Sequence, residues 1–87
     1  MKIAKGFVLR NIMGQNVVVP LGTRCVNFNS MISLNDSGAF LWKQLEVEKT
    51  EEEMLSAMLE EYSIDEERAF QDIKIFIDKL KNSQLLE

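Results

Sequence analysis

The sequence predicts an α+β domain, with a small N-terminal antiparallel sheet followed by three helices. Two observations carry this. The first 34 residues hold β-prone runs broken by Gly and Pro, and from Asn35 onward the apolar residues adopt the 3–4 spacing of helices. Eighty-seven residues suffice for one domain spanning 1–87, with a modest core.

Phe7-Val8-Leu9-Arg10-Asn11-Ile12 and Val17-Val18-Val19 read as the first two strands. Met13-Gly14-Gln15 between them is short enough for a hairpin. Pro20 ends the second strand or sits at its edge, because it cannot donate to a ladder. Leu21-Gly22-Thr23 reads as a turn, and Cys25–Phe28 and Met31–Leu34 are further extended pieces. Asn29-Ser30 between them suits a tight turn, so Cys25–Leu34 reads as two strands or as one bent strand.

Asn35 or Asp36 caps the first helix, where Gly38, Leu41, Trp42 and Leu45 fall on one face. Trp42 is expected in the core, and Gly38 where close packing requires it. Thr50-Glu51-Glu52-Glu53 is a capping box, with Met54, Leu55, Met58, Leu59 and Tyr62 making the apolar face behind it. Asp65 caps the third helix, whose stripe is Ala69, Phe70, Ile73, Phe76, Ile77 and Leu80. Ile75 falls on its polar side as a lone exposed apolar residue. Lys79 and Lys81 lie in its last turns, where cations suit the helix dipole. The Leu85-Leu86 tail is expected to fold back on the core. A sheet followed by three helices makes the architecture winged helix-turn-helix-like.

Composition removes several function classes. The chain has no histidine and one cysteine, Cys25. No Cys/His zinc site, Cys–His or Ser–His nucleophile, or internal disulfide can form within it. No Gly-rich phosphate loop appears, so no cofactor is expected. No apolar run approaches 20 residues and no signal peptide is apparent, so the reading is cytoplasmic, without a membrane partner. The formal net charge of −4 is uneven: residues 1–34 carry +4 and residues 35–87 carry −8. Ten acids against Lys49 between Glu46 and Glu67 are a poor match to nucleic acid. The basic first third suits an acidic partner.

Leu34-Asn35-Asp36-Ser37-Gly38-Ala39-Phe40-Leu41-Trp42 resembles the Leu-Asn-x-[Ser/Thr]-[Gly/Ala]-x-x-[Ile/Leu]-Trp signature at the strand-to-helix junction of PqqD-like proteins. These are relatives of the pyrroloquinoline quinone biosynthesis protein D. Thr50–Glu53 is similar to the family's Thr-x-x-Glu helix start. Asp72-Ile73, Phe76, Leu80 and Leu85-Leu86 resemble its Asp-Val-x-x-Phe-Leu-x-x-Leu ending followed by Gly-Leu-Leu. The resemblance spans nearly the whole chain. Gln84 departs from it, standing where the family often has Gly. The Thr23–Ser30 segment is longer than in the quinone-pathway members, which suggests a cousin serving another peptide.

The resemblance implies a non-catalytic domain that binds the leader of a ribosomally made precursor peptide. The leader adds as an extra strand beside the third strand and lies against the last helix. The domain then presents it to a modifying enzyme, often a radical S-adenosylmethionine enzyme. The Cys25–Leu34 stretch fits an open edge, since it carries neither a charge nor a proline, the usual means of blunting one. By position, the peptide-contacting residues are Arg24, Val26, Phe28, Met31 and Ser33 on the strand side. On the helix side they are Phe70, Lys74, Ile77 and Lys81. A one-residue change of register would swap the strand set to its other face. The expected state is a monomer or weak dimer. Two other readings compete. A winged-helix DNA-binding regulator needs a basic recognition helix, whereas Glu51–Glu61 has five acids and no base. An enzyme needs a nucleophile–base pair or metal spacing, and neither is present.

Overall fold

A computed structural model describes residues 1–21 and 32–87. Among these, three antiparallel strands precede three helices, as the periodicity predicts. The strands are β1 (Phe7–Ile12), β2 (Gln15–Pro20) and β3 (Ile32–Leu34), in the order β1-β2-β3. The helices are α1 (Asp36–Gln44), α2 (Glu51–Glu61) and α3 (Glu66–Asn82). The expected strand Cys25–Phe28 lies outside the described residues.

The β1–β2 hairpin closes on Ile12 and Gln15 through the two-residue loop Met13-Gly14. Both loop residues have positive φ, 52° and 85°, which the right-handed twist of the strands demands. Glycine reaches this region without strain, whereas methionine carries a Cβ penalty there. Pro20 ends β2, as expected, opposite Phe7.

Each helix starts on the cap that the sequence announces. Asn35 rather than Asp36 caps α1, its Oδ1 accepting from the Gly38 N–H at 2.8 Å. Thr50 and Glu53 complete the capping box, with bonds of 3.2 and 3.0 Å. The Thr50 backbone N–H, and after it the Thr50 hydroxyl, hold the Glu53 carboxyl below its ordinary pKa, because hydrogen bonds to it favour its charged form. Asp65 Oδ1 accepts from the Arg68 N–H at 2.8 Å.

The end of α3 answers the missing glycine. Gln84 takes a left-handed φ of 59°. The Leu85 N–H donates to the Leu80 carbonyl at 2.9 Å, and the Gln84 N–H to that of Lys81 at 3.1 Å. This is a Schellman cap, with Leu80 and Leu85 both fully buried as its apolar contact. The tail then pairs with the N-terminus, since Ile3 bridges Leu86 and Ala4 N–H donates to the Leu85 carbonyl at 2.8 Å.

The core joins Val18 and Leu34 of the sheet to Leu41, Trp42 and Leu45, to Met54 and Met58, and to Ala69, Ile73, Phe76, Ile77 and Leu80. Trp42 is buried, as expected. Phe70 departs from the expected stripe and is 47 % exposed, because its position falls at the rim of the helix face that meets the core. Leu59 also sits at a rim, exposed.

Candidate functional site

The register of the sheet determines which backbone groups of β3 are free. In a two-residue hairpin the closing pair is hydrogen-bonded, and bonded and non-bonded pairs alternate from there. Counting from Ile12–Gln15, Val17 bonds toward β1. Asn16 and Val18 therefore turn toward β3, where they face Leu34 and Ile32. Ser33, opposite Val17, turns its N–H and C=O away from β2. Its carbonyl indeed accepts a bond from Lys79 Nζ of α3 at 2.9 Å. Among the described residues no strand pairs with this outer side of β3. The chain's own tail pairs with the N-terminal segment instead.

Beside this edge runs a groove of about 360 Å³. Leu34, Asn35, Ser37, Gly38 and Leu41 line one wall, and Asp72, Ile75, Phe76 and Lys79 line the other. Gly38 matters here for packing. A Cβ at this position would stand 3.1 Å from Asn35 Oδ1 and 3.3 Å from Leu34 Cβ, pressing on both the cap and the strand end. The groove thus combines an apolar floor with a backbone edge and one charge of each sign. Asp72 is engaged by Arg68 at 3.4 Å. Among the described residues Lys79 has no carboxylate within ion-pair distance.

The residues expected to meet a peptide separate into distinct places. Arg24, Val26, Phe28 and Met31 lie outside the described residues. Ser33 is exposed on the edge of β3. Ile77 is 2 % exposed and belongs to the core, so its side chain is withdrawn from any surface contact. Phe70, Lys74 and Lys81 are exposed, but not at the groove. At about 100° per residue they point nearly opposite to Asp72, Ile75 and Lys79. Lys74 sits 5.4 Å above the Phe70 ring and 3.7 Å from Glu51 of α2.

The groove wall of α3 was missed because apolar periodicity finds the buried stripe and says nothing of which rim adjoins the sheet. Two signals were present. Asp72 stands inside the family-like ending motif, and Ile75 is an apolar residue between Asp72 and Lys79 on the polar side. It is 67 % exposed.

Among the described residues no helix is long and apolar enough to cross a membrane. No curated protein matches the sequence. The solved structures include one similar over the whole chain, "TbiB1 in Complex with the TbiA(beta) Leader Peptide". It is 32% identical, with a TM-score of 0.77, and the match covers 95% of that chain. Residues 15–86 match the family described as coenzyme PQQ synthesis protein D (PqqD). That span holds the second strand, the strand edge, all three helices and the terminal cap, so the chain belongs to the PqqD family.

Proposed function

We propose that this chain is a non-catalytic adaptor that binds the leader of a ribosomally made precursor peptide and presents it to a modifying enzyme. The leader adds as a strand along the outer edge of β3 and lies in the groove against Asp72, Ile75, Phe76 and Lys79. The observation that carries this is the outward-turned N–H and C=O of Ser33 beside an apolar-floored groove. Strand addition draws affinity from such backbone groups and specificity from alternate side chains. A relative of similar length and the same fold, whose structure was solved with a leader peptide, supports the same reading. The modifying enzyme is of the radical S-adenosylmethionine type or another peptide-modifying class. The adaptor acts as a cytoplasmic monomer or weak dimer.

The test is a displayed library of random linear peptides of about 16 residues, long enough to span the edge in extended form. Selected peptides are expected to bind in the micromolar range, about −8 kcal/mol, by fluorescence anisotropy. Recovery of no binder contradicts the proposal. Micromolar binding to random duplex DNA at low salt would restore the DNA-binding alternative.

A further inference from the structure

The free carbonyl of β3 is already held. Lys79 Nζ donates to the Ser33 carbonyl at 2.9 Å, across the groove that a guest strand would enter. An incoming strand must place its own N–H on that carbonyl, so it displaces the ammonium. The displaced group stays tethered at the groove wall beside Ile75 and Phe76. It has no waiting partner: among the described residues no carboxylate lies within ion-pair distance of Lys79, and Asp72 is engaged by Arg68. Once displaced, this exposed ammonium falls back on water, and a carboxylate brought beside it offers a charged partner with the modest strength of an exposed ion pair.

The guest can supply the new acceptor. Side chains alternate along a strand, so guest residues flanking the one opposite Ser33 project to the same face as Ile32 and Leu34. Leu34 lines the groove opposite α3, so those flanking guest side chains point toward Lys79. We infer that Lys79 is a specificity-determining residue, a latch on the strand edge that opens for peptides carrying Asp or Glu beside the position that pairs with Ser33. This inference rests on the strand-addition reading. In the peptide-free chain the same contact satisfies an edge carbonyl and places a lysine on the edge, a known guard against unwanted strand pairing.

The experiment pans the displayed library of random 16-residue peptides against the wild type, Lys79→Met and Lys79→Glu. The Lys79 side chain is exposed, so both variants are expected to fold, which circular dichroism checks. Wild-type binders should be enriched in Asp or Glu at one position. Lys79→Glu should enrich Lys or Arg there, and Lys79→Met neither sign. Replacing that acid by its amide in one wild-type binder should weaken wild-type binding about 5-fold and Lys79→Met binding less than about 2-fold. An acid preference unchanged in Lys79→Glu, or an equal amide effect on both proteins, overturns the inference. If peptides bind without perturbing the Ser33 amide, the strand-addition reading itself fails and takes this inference with it. If they do perturb it and the charge preference ignores residue 79, only this inference falls.

Discussion

On one side of the buried stripe of α3, Asp72, Ile75 and Lys79 line a groove facing the edge of β3. On the other, Phe70 and Lys74 lie toward α2, where Lys74 has Glu51 for a partner. Both rims are a lysine beside an exposed apolar residue, and composition does not tell them apart. Their neighbours do. The α2 side offers Lys74 a carboxylate, whereas among the described residues the β3 side offers Lys79 a backbone carbonyl on a strand edge that no other strand pairs. A rim acquires a binding role from backbone groups turned outward across from it, more than from its own side chains.

The largest expected contrast is one of stability. Phe76 is 5 % exposed where the groove meets the core, and Phe70 is exposed at the far rim. Phe76→Ala should cost about 3–5 kcal/mol in denaturant unfolding, as for a buried aromatic. Phe70→Ala should cost under about 1 kcal/mol. Equal costs would mean that Phe70 packs in the core rather than at the rim.

Binding sharpens the contrast next. Ile75→Asp should weaken a selected peptide about 10- to 100-fold, the worth of about 1.5–3 kcal/mol for burying an isoleucine. Lys74→Ala and Lys81→Ala should each change it by less than about 2-fold, because their positions are turned away from the groove. A loss at Lys74 matching that at Ile75 would move the peptide to the α2 side.

Most of the fold was legible because its signals are local. Asn35, Thr50 and Asp65 each satisfy backbone N–H groups within three residues, so helix starts could be read without tertiary knowledge. The groove wall was not legible. Whether Ile75 or Phe70 borders the sheet depends on how α3 is rotated against β3, a long-range fact that the 3–4 spacing does not contain. The strand side was half legible. Ser33 lies on β3, but the outward turn of its N–H and C=O follows from hairpin parity, and hence from Met13-Gly14 forming a two-residue loop.

Smaller effects test the frame that holds the two rims in place. Thr50→Ala should cost about 1 kcal/mol by removing the cap at the start of α2, beside Glu51. The Glu53 carboxyl has a lowered folded pKa, so its contribution is present above its unfolded value of 4.5 and is lost as pH falls through the folded value. Urea melts from pH 6 to 3 should therefore fall less steeply for Glu53→Gln, which removes the titrating carboxyl, than for the wild type. An identical slope would show that the capping box carries none of the acid sensitivity. Gln84→Gly should stabilise the chain by about 0.5–1 kcal/mol, since glycine adopts the left-handed cap without the Cβ penalty. A loss of stability there would mean that the Gln84 side chain contributes contacts of its own.

Hydrogen exchange at the Ser33 amide tests the open edge most directly, because this N–H turns away from β2 in the free chain. Addition of a selected peptide should slow its exchange about 10-fold or more, with chemical-shift changes concentrated at Ile32–Leu34 and Asp72–Lys79. A saturating peptide that leaves Ser33 exchange unchanged, with shifts confined to α2 and to Phe70 and Lys74, would contradict the account.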